Sequence, residues 1–136
     1  MVEEVTLDCL IVGAGPAGLV AATYLARFRR CIAVVDAGES RARWIPTSHN
    51  CPGFPLGVSG TRLLERLRDQ ACGHGVVIER DRIARLQRDA DLFVAESDGG
   101  QRWRARCVIL ATGIVDRMPG TGGDKDPWQA AIEAGT

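Results

Sequence analysis

Three stretches of this chain are apolar at nearly every position, and a fourth alternates. Leu7-Asp8-Cys9-Leu10-Ile11-Val12, Cys31-Ile32-Ala33-Val34-Val35 and Cys107-Val108-Ile109-Leu110-Ala111 are of the first kind. Such runs suit parallel strands covered on both faces. Between the first two, Pro16 to Arg30 places Leu19, Ala22, Leu25 and Ala26 on the packing face of a helix. Thr61 to Cys72 does the same with Leu63, Leu64 and Leu67; Ser59 stands where a cap belongs, and Gly73 and Gly75 end the helix. Val76-Val77-Ile78 leads strand-like toward Ile83, and Asp91-Leu92-Phe93-Val94-Ala95-Glu96 alternates. Asp98-Gly99-Gly100 then turns the chain into Arg102-Trp103-Arg104-Ala105. An antiparallel meander is expected, flowing into the third apolar run, which Thr112-Gly113 closes. Asp126-Pro127 starts a short helix to about Ala134. The pattern predicts one α/β domain over residues 1–136, Rossmann-like and three-layered, with a parallel sheet and an antiparallel β-meander.

The first strand runs directly into Gly13-Ala14-Gly15-Pro16-Ala17-Gly18, a GxGxxG loop opening the first helix. Gly13 permits the tight turn, Gly15 lets the backbone approach a pyrophosphate, and Gly18 lets helix and strand pack closely. The phosphates would meet unpaired N–H groups and the positive end of the helix dipole. The second strand ends at Asp36, 23 residues after Gly13. A carboxylate there can accept hydrogen bonds from both hydroxyls of an adenosine ribose. Strand, glycines, helix, strand and terminal acid together read as a dinucleotide-binding βαβ unit.

Composition narrows the picture. A formal net charge of zero gives no footprint for nucleic acid or an anionic membrane. Asp81 and Asp89 sit among the arginines at 80, 82, 85 and 88, so the cluster reads as a solvated strand or loop face. The first residues carry Glu3 and Glu4 rather than a basic export signal, and no apolar run approaches the ~20 residues of a membrane span. Five cysteines, widely spaced and without a CxxC, argue against a disulfide framework or a zinc site and for a reducing cytoplasmic setting. Cys9, Cys31 and Cys107 lie in apolar strands and read as small core hydrophobes. Cys51 reads as a loop cysteine, and Trp44, Trp103 and Trp128 as packing residues. No nucleophile triad or carboxylate pair supports a hydrolase. The segment from Ala37 to Gly60, rich in Gly, Pro, Ser and Arg, is too long for a plain connector and is expected to be functional.

A βαβ dinucleotide unit, a meander and a strand ending Ala111-Thr112-Gly113 look like the flavin domain of two-dinucleotide flavoproteins. His49-Asn50-Cys51-Pro52-Gly53-Phe54-Pro55 resembles the Asn-x-Pro-Gly loop of low-molecular-weight thioredoxin reductases, and Gly60-Thr61-Arg62-Leu63-Leu64 fits that family's next helix. The resemblance runs from Asp8 to about Pro119. It implies an FAD/NAD(P)-binding domain and a chemistry that passes electrons from NADPH through FAD to a disulfide. It also implies site residues: Gly13, Ala14, Gly15, Pro16 and Ala17 match the pyrophosphate loop, and Asp36 the ribose-binding acid. Asn50 matches a residue beside the flavin ring, and Ile83 one whose backbone meets the adenine. Ala111, Thr112 and Gly113 match a second contact strip along the cofactor.

The departures matter equally. No CxxC and no second GxGxxG follow, and the family's C-terminal Gly-Asp segment is absent. The domain is therefore expected to be incomplete: a fragment, a truncated product or half of a split protein. A partner chain or the missing half would complete it, and without one self-association, as in a homodimer, is expected. No catalytic residue and no metal ligand is assigned. Three functional readings stand: part of an FAD-dependent NAD(P)H oxidoreductase, a stand-alone FAD- or nucleotide-binding module without turnover, and a flavin-free NAD(P) reductase. The meander speaks against the third.

Overall fold

The computed structural model describes residues 5–115, and the helix expected after Asp126 lies outside them, as does Trp128. The apolar runs become strands of one six-stranded sheet. In chain order the elements are β1 (Thr6–Val12), α1 (Pro16–Arg27), β2 (Ile32–Asp36), a 3-10 turn at Arg41–Trp44, α2 (Gly60–Gly73), β3 (Ile78–Arg80), β4 (Ile83–Asp89), β5 (Leu92–Ser97) and β6 (Arg102–Leu110). The strand order is β3-β2-β1-β6-β5-β4. β1 runs parallel to β2 and β6, and β2 parallel to β3. β4, β5 and β6 form the antiparallel meander. The Rossmann-like α/β fold read from the sequence is the fold observed.

β6 joins the two halves. Its first residues pair with β5, and from Arg104 onward it pairs with β1, so meander strand and third apolar run are one continuous element. Two cores follow. On one face Cys9, Ile11 and Val34 meet Leu19 and Ala22 of α1 and Ala71 of α2. On the other, Leu7, Leu10, Ala33 and Val35 meet Ala95, Trp103 and Ala105 of the meander. Leu10, Ile11, Leu19, Val34 and Val35 are fully buried, each worth about 1.5–3 kcal/mol by transfer from water.

Both helices stop where the backbone turns left-handed. α1 ends at Arg27, earlier than the expected Arg30. Arg29 adopts a φ of 56°, and the N–H groups of Arg29 and Arg30 return to the carbonyls of Ala26 and Leu25. This is a Schellman motif with arginine in glycine's usual place. α2 closes in the same way at Gly75, whose φ is 83°. At its start the Ser59 hydroxyl accepts from the Arg62 N–H at 3.3 Å, the expected cap.

Three side-chain expectations are corrected. Cys9 is core, but Cys31 and Cys107 are exposed. Cys31 precedes β2, with its N–H held by the Asp8 carboxylate. Cys107 pairs with Cys9 across β1 and β6, so it lies on the same side of the sheet. Trp44 is half-exposed beside Arg43, whereas Trp103 packs as expected. Of the arginines at 80, 82, 85 and 88, the last two lie on the solvated strand β4, whereas Arg80 ends β3 and Arg82 lies between the two strands. No helix among the described residues is long and apolar enough to cross a membrane.

Candidate functional site

The carboxyl ends of β1, β2 and β6 converge where the sheet order leaves the sequence order, the position at which open α/β sheets bind ligands. A cleft of about 570 Å³ opens there, within the ~300–1,000 Å³ range of small-molecule sites. Gly13, Gly15, Pro16 and Ala17 form one wall, with Asp36 at the end of β2. Ala111, Thr112 and Gly113 form another, and Ile83 stands at a third side. Nine of the eleven residues singled out from the sequence are thus brought together.

Two are not. Ala14 is buried beneath the loop, and its N–H donates to Asp36 Oδ1 at 2.9 Å. Asn50 lines a separate shallow depression with its neighbours His49 to Pro55, and its amide oxygen accepts from the Ser48 hydroxyl at 2.8 Å.

The three glycines of the loop serve different ends. A Cβ on Gly13 would lie 2.3 Å from the Ala111 carbonyl oxygen, and one on Gly18 would lie 1.9 Å from that of Gly13. Both glycines are required by the protein itself, because strand, loop and helix touch backbone to backbone. A Cβ on Gly15 would meet only the Ser40 hydroxyl, at 3.3 Å, and the residue faces the cleft. The protein leaves that space empty. Gly15 is also the N-cap of α1 and supplies no side-chain cap, and the first turn carries no acid. The positive end of the helix is therefore left to whatever occupies the cleft.

Asp36 ties the site together. Besides holding Ala14, its Oδ2 lies 3.7 Å from the guanidinium of Arg68 on α2. Sequence reasoning missed Arg68, because its spacing from Asp36 carries no motif. The segment after β2, expected from the sequence to be functional, supplies a further wall. The 3-10 turn brings Arg41 and Ala42 to the cleft, and Gly60 N–H fastens its far end to the Ile45 carbonyl. A Cβ on Gly60 would strike the Ala42 carbonyl at 1.6 Å, so this glycine lets α2 dock against the turn. The long 37–60 segment is thus partly a wall of the site.

On the Ile83 side, Asp81 and Arg82 also line the cleft. The Ser97 hydroxyl and the Arg82 N–H hold the Asp81 carboxyl below the usual carboxylate range. Glu39, 2.7 Å from the Arg82 guanidinium, favours its charged form. These contacts fasten the β5–β6 turn and the segment after β2 to the same edge. No cluster of three or more His, Cys, Asp or Glu able to hold a metal ion occurs among the described residues.

The sequence model of the pyridine nucleotide-disulphide oxidoreductases matches residues 7–134. The chain belongs to that family. Among curated relatives, thioredoxin reductase of Pneumocystis jirovecii is 32% identical over 92% of this chain and 41% of its own length. That of Peptoclostridium acidaminophilum is 32% identical over 90% and 39%. Among solved structures, a thioredoxin reductase from Gloeobacter violaceus superposes with a TM-score of 0.75 at 32% identity, covering 87% of this chain and 40% of the other. An oxidoreductase from Agrobacterium tumefaciens gives 0.78 at 33%, covering 88% and 41%. The chain spans about two-fifths of the length of the curated relatives it matches. Its thioredoxin reductase-like character therefore concerns one part of such an enzyme, the amino-terminal part of the flavin domain.

Proposed function

We propose that this chain binds FAD in the β1–β2–β6 cleft and supplies part of the flavin domain of a cytoplasmic thioredoxin reductase-like NAD(P)H oxidoreductase. The observation that carries the reading is the space above Gly15, open to the cleft and beside an uncapped helix start. Gly15, Pro16 and Ala17 would lie against the pyrophosphate, with α1's dipole favouring its charge. Asp36 would take the adenosine ribose, and Ile83 would border the adenine. Ala111, Thr112 and Gly113, small residues at a strand end, would let the cofactor lie across the sheet. Bound FAD would supply the two-electron chemistry that links a nicotinamide to a disulfide.

In this reading the chain's own residues bind and orient the cofactor; none is assigned to passing electrons from NADPH to a disulfide. Its 136 residues hold no CxxC and no second GxGxxG, so neither the family's redox dithiol nor a nicotinamide site is assigned to them. That favours, for the polypeptide by itself, the second reading of a binding module completed by a partner chain or a further segment. Mixed with NADPH, FAD and a disulfide acceptor, the chain alone is expected to give no catalytic disulfide reduction. Steady turnover in that assay would sink this division of labour.

Asp36→Ala is expected to weaken ADP or FAD binding by ~1–3 kcal/mol, the scale of hydrogen bonds to a charged group. It also strips the buried Ala14 N–H of its acceptor, so stability should fall too. Asp36→Asn keeps an acceptor for Ala14 and should recover stability while losing the preference for a free ribose over a 2′-phosphorylated one. Isothermal titration with ADP and its 2′-phosphate checks this. Equal ADP affinity in wild type and both variants would remove Asp36 from the site.

A further inference from the structure

Cys9 and Cys107 stand directly opposite one another on the neighbouring parallel strands β1 and β6. Adjacent strands lie ~4.8 Å apart, inside the ~4.4–6.8 Å between Cα atoms that a disulfide spans. Paired residues of neighbouring strands point to one face, so both thiols lie on the same side of the sheet. Cys107 also donates its S–H to the Asp8 carbonyl at 3.0 Å, which holds its sulfur over β1. The pair is asymmetric in access. Cys9 is 2% exposed among Ile11, Leu19 and Val34, whereas Cys107 faces solvent.

We propose that Cys9 and Cys107 form a reversible dithiol–disulfide site whose co-reactant is a low-molecular-weight disulfide of the glutathione type. Cys107, as thiolate, attacks one sulfur of the small disulfide, forming a mixed disulfide and releasing one small thiolate, which takes up the proton Cys107 lost. Cys9 then gives its proton to solvent and attacks the Cys107 sulfur, expelling the second small thiolate, which is protonated in turn. The net change oxidises two protein thiols to one disulfide and reduces the small disulfide to two thiols.

Access sets the order of events. Burial, with Cys107 alongside, pushes the Cys9 thiol up to about 12, so Cys9 is a poor nucleophile toward reagents in solution. It reacts only with a sulfur already placed beside it. The bond must draw the two Cβ atoms to about 3.8 Å, closer than the strand spacing, and strained disulfides of this kind belong to the readily reduced class. β1 and β6 run on from the pair into Gly13 and Ala111, so the bond would staple together the two strands that floor the cleft.

The test incubates the protein with glutathione at graded ratios of oxidised to reduced form, blocks free thiols with an alkylating agent, and maps peptides by mass spectrometry. Cys9 and Cys107 are expected to disappear as free thiols together, linked within one chain, and to return on adding excess reduced glutathione. In Cys9→Ala, Cys107 should stop at the glutathione adduct. In Cys107→Ser, Cys9 should stay a free thiol carrying no glutathione. The wild-type map decides the matter even where a variant folds poorly. Accumulation of a Cys107–glutathione adduct with Cys9 free in the wild type would overturn the proposal, as would a Cys107–Cys107 link between chains.

Discussion

Gly15→Val is expected to reduce FAD affinity at least about 100-fold, or ~2.8 kcal/mol at 1.4 kcal/mol per tenfold, while the fold survives. The reason is geometric. A Cβ at this position meets nothing of the protein except the Ser40 hydroxyl at 3.3 Å, and it projects where the cleft opens. Its φ of −75° is one that any L-residue adopts, so the backbone holds its shape. A branched side chain as N-cap costs about 1 kcal/mol of stability, small against the ~5–15 kcal/mol of a typical domain. Quenching of FAD fluorescence, read beside a urea unfolding curve, separates the two effects. Wild-type affinity in a folded Gly15→Val protein would remove the pyrophosphate assignment.

Gly18→Ala should do the reverse and damage the fold before the ligand is considered. The added methyl group would stand 1.9 Å from the Gly13 carbonyl oxygen and 3.0 Å from its carbon. Both atoms are backbone, so no side chain can swing aside. α1 must lift from β1, opening the core where Leu19 and Ala22 meet Ile11. Overpacking of a tight core typically costs ~1–3 kcal/mol, and more where backbone must move. A loss above about 3 kcal/mol in urea unfolding is expected, with weak FAD binding as its consequence. A midpoint equal to the wild type's would show that the close approach is not what holds helix and strand together. Two glycines three positions apart in one motif thus answer to different demands.

Much of this was legible in the sequence, because local chemistry fixed it. β1 and β2 are apolar on both faces since both faces are covered, and the glycines mark true backbone contacts or open space. Ser59 and Gly75 bound α2 through hydrogen bonds that their residue types make predictable. What escaped depends on neighbours distant along the chain. Cys107 is exposed although its neighbour Ile109 on the same face packs against the α1 core, a difference that no run of residues near Cys107 encodes. Arg68 reaches Asp36 only because α2 packs beside α1. Ala14 matches a phosphate-loop position yet spends its N–H on the Asp36 carboxylate, a partner set by the strand register. Asn50 shares a motif with a flavin-side residue, but the 48–58 bridge holds its loop in a depression of its own.

The most direct test of the central claim is a titration of the purified chain with FAD, followed by quenching of flavin fluorescence and by the visible spectrum, with ADP as competitor. Saturable binding at one site, displaced by ADP and lost in Gly15→Val, is the expected result. A chain that is folded by circular dichroism yet leaves FAD fluorescence and spectrum unchanged at every concentration would contradict it.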